Sequence, residues 1–261
     1  MQKETQDNRI ISIETPLGKD ALFLTKINAT EHFSDSFEIQ ANLFTIDTQV
    51  NQSALLGKQV TIKIKKVDGK GEIYLHGMVS EILSLGSRSA SPNEYKNYID
   101  YQLKIVPITE NLHFRKNCRI FQKKSVLDIV ADIFGQHGVS FSQKTQNTYP
   151  KYNYCVQYQE SDFDFVHRLL YREGIFYFYE HCASSHTLVL ADDITAYSRC
   201  EESSATFNSG HITQPHIFSW QSGMRITPGS YHRKGYNFKL PSQYPKGCHV
   251  KISNTRQSTT E

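Results

Sequence analysis

Residues 150–181, PKYNYCVQYQESDFDFVHRLLYREGIFYFYEH, constrain the fold most, because they dictate a strand, a helix with both ends marked, and a second strand. Ser161 offers an N-cap hydroxyl to the unpaired N–H groups of a first helical turn, and Asp164, three residues on, takes the place of the capping-box acid. Phe163, Val166, Leu169 and Leu170 recur at helical spacing, Phe165 widens the stripe, and Arg168 and Arg172 fall on the other side near the negative end of the helix dipole. Gly174 stops the helix as a left-handed C′ residue. From Ile175 to Tyr179 both even and odd positions are apolar, which suits a strand covered on both faces.

The same grammar stands 36 positions earlier: Ser125 matches Ser161, Asp128 matches Asp164, Val130 matches Val166, Gly138 matches Gly174 and Val139 matches Ile175. Two copies are too few for a solenoid, so the expectation is one compact subdomain with two helix-strand units.

Upstream, the pattern is all antiparallel. Phe37, Ile39, Ala41 and Leu43 alternate with polar residues, and residues 60–66 and 72–85 flank Asp68-Gly69, a strong hairpin signal. Residues 48–57 form a connection with one helical turn near Leu55, and a further alternating strand carries Tyr101, Leu103 and Ile105. About six such strands fit a small closed barrel or a sandwich. Residues 1–9 are expected to be a mobile tail. Downstream of Ser203 turn residues are frequent and only short strands fit between them.

Several separated motifs resemble the hub region of the VgrG family of type VI secretion spike proteins, relatives of contractile-phage baseplate hubs. They are Arg119, Phe121 and Gln122; the run Gln157-Tyr158-x-Glu160-Ser161; Arg168-Leu169; and Glu173-Gly174-Ile175. Thr15-Pro16-Leu17-Gly18, Leu56-Gly57 and His76-Gly77-x-Val79 match that family's first β-barrel and decide for a barrel. Ile217 to Trp220 and Tyr236-Asn237-Phe238 match the start of its next β-module, with Gly235 where an acidic residue is often found. The fold class implied is mostly β with an α+β insertion. A small antiparallel β-barrel occupies 1–110, a helix-strand subdomain 111–204, and the start of a second, incomplete β-domain 205–261, with the distal needle absent.

Composition sets bounds on chemistry. Lys and Arg number 29 against 26 Asp and Glu, too balanced to imply nucleic acid, and the basic run KIKK at 63–66 alternates with Ile62 and Ile64 as the solvated face of a strand. No apolar run is long enough for a membrane span, and the start MQKETQDNRI has no apolar signal region, so export through the Sec route is not expected. The five cysteines are odd in number and form no C-x-x-C pair, which suits a reducing compartment.

His181, Cys182 and His186, with Cys200 as the nearest further thiol, make the best metal-like cluster, but the spacing fits no standard zinc module. Asp162, Asp164, Asp192 and Asp193 could serve as paired carboxylates, yet capping and turn roles account for them better. No nucleophile elbow, Walker loop, dinucleotide loop or H-E-x-x-H motif is present. The aromatic run Phe176, Tyr177, Phe178, Tyr179 reads as core and subunit interface; a rival reading makes it a sugar-stacking sheet of a carbohydrate-binding or hydrolytic protein, dependent on Tyr177. The expectation is a structural protein with no catalytic, cofactor or metal site.

The resemblance implies a homotrimeric hub of a cell-puncturing spike that docks on a hexameric Hcp-like tube ring. Baseplate components would surround it, and an effector or tip protein would attach beyond the hub. It also implies assembly in the bacterial cytoplasm and secretion without a signal peptide. A phage-like contractile tail hub is the alternative within the same class.

Overall fold

The computed structural model describes residues 4–46, 49–66, 71–89, 97–198, 206, 207, 217, 219–223, 231, 232, 249 and 250. The chain divides into two compact units, Met1–Ser203 and Ser204–Glu261.

In the first unit, strands β1 (Ile11–Glu14), β2 (Phe23–Thr30), β3 (Glu38–Ile46), β4 (Gln59–Lys65), β5 (Glu72–Ser89) and β6 (Asn97–Val106) form one antiparallel sheet in the order β1-β4-β5-β6-β3-β2. Alternation sets its inner face: Ile39, Ala41 and Leu43 are buried directly opposite Ile105, Leu103 and Tyr101. Lys63 lies on the other face and reaches the Glu14 carboxylate across the β1–β4 pair at 2.5 Å. Register shifts after Leu24, Val79 and Ser84 bend the sheet into a half-barrel. The Arg9 guanidinium donates to the Leu24 carbonyl at 3.3 Å and lies over the rings of Phe23 and Phe44. Gly77 permits close packing of β5 on β6, since a Cβ there would meet Ile105 Cγ2 at 2.6 Å and the Val106 carbonyl at 2.9 Å.

The start of the chain departs from the expected mobile tail. Gln6 is buried, its side-chain oxygen accepting from the Ile13 N–H at 3.0 Å and its amide donating to the Ile13 carbonyl at 3.3 Å. An edge strand exposes both backbone groups, and one primary amide satisfies them together.

After β6, Ile108–Phe114 forms a 3₁₀ helix that buries Thr109 and Leu112. Strand β7 (Lys116–Phe121) pairs antiparallel with β9 (Cys155–Ser161). Helix α1 (Val126–His137) has the full capping box: Ser125 Oγ accepts from the Asp128 N–H at 3.2 Å, and the Asp128 carboxylate accepts from the Ser125 N–H at 2.9 Å. Helix α2 (Asp162–Glu173) starts at Ser161, whose Oγ accepts from the Asp164 N–H at 3.0 Å; the Asp164 carboxylate here holds the serine hydroxyl instead of its backbone. Gly138 and Gly174 end the two helices at φ 65° and 71°.

Each helix leads into a strand. Strands β8 (Phe141–Lys144) and β10 (Phe176–His181) flank β11 (His186–Ala191) in a sheet of order β10-β11-β8, with β8 parallel and β10 antiparallel to β11. One continuous apolar core runs from Ile13 in the half-barrel to Leu190 in this sheet, so the architecture changes near residue 110 without a break in packing. In the second unit Phe207 bridges Ile217, and β12 (Tyr231–His232) pairs antiparallel with β13 (His249–Val250). Asp68-Gly69, Cys200, Gly235, Tyr236-Asn237-Phe238 and Cys248 lie outside the described residues.

Candidate functional site

Three polar knots and one aromatic face collect the side chains with chemical potential. The first knot lies between the half-barrel and the β10-β11-β8 sheet. His76 from β5, His181 from β10 and His186 from β11 converge there around Phe37, whose ring stands 4.8 Å from that of His181 and 5.6 Å from that of His186. The Ile108 N–H donates to His186 Nε2 at 3.0 Å, so Nδ1 carries the hydrogen and donates to His76 Nδ1 at 2.9 Å. Burial first, and the neighbouring imidazoles second, push the His186 pKa down to about 4, and burial likewise lowers that of His76. His181 Nδ1 sits 3.1 Å from both the N–H and the carbonyl of His76, and its Nε2 lies 3.4 Å from a Glu31 carboxylate oxygen.

His181 and His186 are therefore neighbours, as their sequence spacing allows, but Cys182 is not with them. Its exposed sulfur bonds the Ser185 carbonyl and hydroxyl, which lowers its pKa. The third imidazole is His76, a residue that local sequence cannot place because it lies 105 positions before His181. Among the described residues no group of three or more His, Cys, Asp or Glu has the geometry of a metal site.

The second knot surrounds Asp162, the first residue of α2, which is fully buried. Arg119 from β7 donates to one carboxylate oxygen, joined by the Gln157 side-chain amide at 2.8 Å; His137, at the end of α1, meets the other oxygen at 2.9 Å. Arg119 also donates to Gln157 Oε1 at 2.8 Å. Desolvation raises the Asp162 pKa, but the hydrogen bonds from Gln157 and His137 and the charge of Arg119 outweigh it, and the net shift is downward. Asp162 thus joins β7, β9, α1 and α2 at one point. It is no partner for Asp164, which caps its own helix.

The third knot is Asp192, which accepts from the N–H groups of Gln146 and Asn147 at 2.7 and 2.9 Å and from the Tyr149 hydroxyl at 2.7 Å. These bonds overcome desolvation and hold its pKa at about 2. Asp193 accepts instead from the Thr195 N–H at 2.9 Å, so the two adjacent carboxylates anchor separate turns and do not form a pair.

On β10 the aromatic run splits by face. Tyr177 and Tyr179 point into the core, with Tyr179 bonded to Thr109 at 2.7 Å, while Phe176 and Phe178 lie on the opposite side with Phe33 and Tyr197. Tyr177 is 3% exposed, which removes it as the stacking residue that the carbohydrate reading required. No helix among the described residues is long and apolar enough to cross a membrane.

Comparison with known proteins gives this arrangement a context. The chain is 31% identical over 246 residues to the type VI secretion system spike protein VgrG1c of Pseudomonas aeruginosa, covering 91% of this chain and 32% of that protein. It is 30% identical over 241 residues to VgrG1a of the same organism, covering 90% of this chain and 36% of that protein. The chain therefore spans about a third of the length of these relatives. In fold it is similar to an Escherichia coli component of the type VI secretion system described as structurally similar to the bacteriophage T4 tail proteins gp27 and gp5. That match has a TM-score of 0.62 and 19% identity, and covers 75% of this chain and 52% of the other. Residues 30–261 match the phage tail baseplate hub (GPD) family. The chain belongs to the phage tail baseplate hub family, and its half-barrel with an α+β insertion is that family's architecture in this sequence.

Proposed function

We propose that this chain is the hub portion of a type VI secretion spike. Three copies form a base that docks on a hexameric ring of tube protein, with baseplate components around it and an effector or tip protein carried beyond the hub. The role is structural and involves no catalysis. The observation that carries the reading is the 31% identity to a type VI spike protein across 91% of this chain. The fold supports it, because a core continuous from half-barrel to α+β insertion suits a part that must transmit load without hinging. In this reading residues 1–110 are the first hub barrel, 111–204 the insertion, and 205–261 the beginning of a second β-domain. Two related barrels per protomer let a three-fold hub present six similar units to a six-fold ring. The hub assembles in the cytoplasm and leaves the cell with the tube.

The family match also fits the hub of a phage-like tail. Both readings share the geometric requirement, which native mass spectrometry tests on the chain mixed with the tube protein encoded beside it. The expected species holds three copies of this chain per six tube subunits. A one-to-one ratio, or no complex with either a type VI or a phage-type tube protein, overturns the hub assignment.

A further inference from the structure

The aromatic face of β10 is held in place by a hydrogen-bonded clamp. Ser34, in the left-handed region at φ 57°, donates its N–H to the Tyr177 carbonyl at 2.8 Å, and its hydroxyl accepts from the Tyr177 N–H at 3.4 Å. This pins the β2–β3 turn to the edge of β10 and sets Phe33 against Phe176 and Phe178, with ring centroids 6.2 and 6.1 Å apart. Tyr197 closes the group at 5.4 Å from Phe33 and 5.8 Å from Phe178. Phe33 nevertheless remains 62% exposed and Tyr197 40%. Phe33, Phe178 and Tyr197, with Glu31 and His32, line a cavity of about 330 Å³.

The chemistry of the lining selects its ligand. Aromatic faces carry negative electrostatic potential, and Glu31, whose side chain is 46% exposed, adds a carboxylate to the same wall. The rings already attract a cation of their own chain: the Lys144 ammonium stands 5.9 Å from the Phe178 centroid, with its charge answered by Glu180 at 2.8 Å. Glu31 has no lysine or arginine ion partner among the described residues; on its core side lies the His181 imidazole, with Nε2 3.4 Å from a carboxylate oxygen. A planar guanidinium lays its face on a ring while its fork of N–H donors matches a carboxylate, and it sheds water more readily than an ammonium, which is a compact, strongly hydrated point charge. We propose that this cavity is a binding site for an arginine side chain presented by a partner protein.

The experiment is an NMR titration of the full chain with N-acetyl-arginine-methylamide, its neutral isostere N-acetyl-citrulline-methylamide, and maltose. The arginine compound is expected to shift the signals of Phe33, Phe178 and Tyr197 in a saturable way and to bind about tenfold more tightly than the citrulline compound, the factor expected from a partly desolvated cation on an aromatic face. Phe33→Leu keeps the apolar bulk and removes the ring, and Glu31→Gln removes the charge; each should weaken binding by about threefold to thirtyfold. Thermal unfolding confirms that both variants are folded. Equal binding of the arginine and citrulline compounds, an unaffected Phe33→Leu variant, shifts only from maltose, or no shift from any compound overturns the proposal. The titration involves no tube protein, so its failure leaves the hub reading standing.

Discussion

Positions 126 and 162 occupy the same place in two copies of one helix-strand pattern, and both are fully buried, yet one is valine and the other aspartate. Helix α1 begins by burying an apolar side chain in the core. Helix α2 begins by burying a carboxylate that its dipole favours and that Arg119, His137 and Gln157 saturate. The first arrangement is tolerant, because hydrophobic packing asks mainly for volume; the second is demanding, because every member of a buried polar network must be in place. Repeated local grammar therefore produced one helix that adds to the core and one that ties four elements together.

The largest expected effect follows from this asymmetry. Asp162→Ala leaves Arg119 and His137 facing an empty polar site and should destabilise by about 3 kcal/mol or more, whereas Val126→Ala should cost about 2 kcal/mol. Urea unfolding of the two variants checks this, and a smaller loss for Asp162→Ala than for Val126→Ala would remove the distinction between the helices.

Acidification separates the polar knots from each other. His186 has a folded pKa of about 4, below the ordinary imidazole value of 6.5, so between those pH values the unfolded chain takes up a proton that the folded chain refuses. The His186 contribution should be constant above pH 6.5 and fall between pH 6.5 and about 4, by as much as about 3 kcal/mol at 1.36 kcal/mol per pH unit. The Asp162 contribution has the depressed-carboxylate sign: it is intact above the ordinary aspartate pKa of 3.8 and is lost only as pH falls further. Melting temperatures from pH 8 to 3 for the natural chain and His186→Gln test the order, since the variant should lose the His186 share of the upper part of the slope, keep the share of His76, whose pKa burial also lowers, and keep the lower part.

Two glycines sharpen the contrast between half-barrel and helices. Gly77→Ala places a methyl group 2.6 Å from Ile105 Cγ2 and should cost about 1–3 kcal/mol through overpacking. At Gly174 nothing lies within 4 Å of an added Cβ, so Gly174→Val should cost about 1 kcal/mol, from the backbone conformation at φ 71°. An unchanged melting temperature for Gly174→Val would sink the C-cap assignment.

The smallest effects belong to the caps. Ser125→Ala and Ser161→Ala should each cost about 1 kcal/mol. Ser125→Ala leaves the second half of its box in place, because the Asp128 carboxylate bonds the backbone N–H of residue 125. Asp164 has no such bond, so Ser161→Ala should be the costlier of the two. Denaturant midpoints that place Ser125→Ala below Ser161→Ala would reverse that order.

What could be read from the sequence was what is decided locally. In each helix the cap, the apolar stripe and the terminating glycine lie within 14 consecutive residues, and the β4–β5 pairing follows from alternation in two neighbouring segments. The candidate sites were harder, because their members meet only through topology. His76 joins His181 across 105 positions, and Phe33 reaches β10 only because Ser34 pairs with Tyr177 across 143. Arg119 and Gln157 stood out only through family resemblance, and nothing in the sequence joined them to Asp162 and His137. The order Tyr177 in and Phe178 out could not be read from a run that is aromatic at every position, since alternation carries no information when both faces are apolar. Gln6 was missed for a related reason: a polar residue near a terminus gives no sign that it will fill a strand edge.

The proposed function makes this chain one third of a hub. Light scattering of the chain across a dilution series tests it most directly. The molar mass should rise from that of one 30.0 kDa chain toward three as concentration increases from about micromolar to millimolar. A stable dimer at every concentration would contradict it.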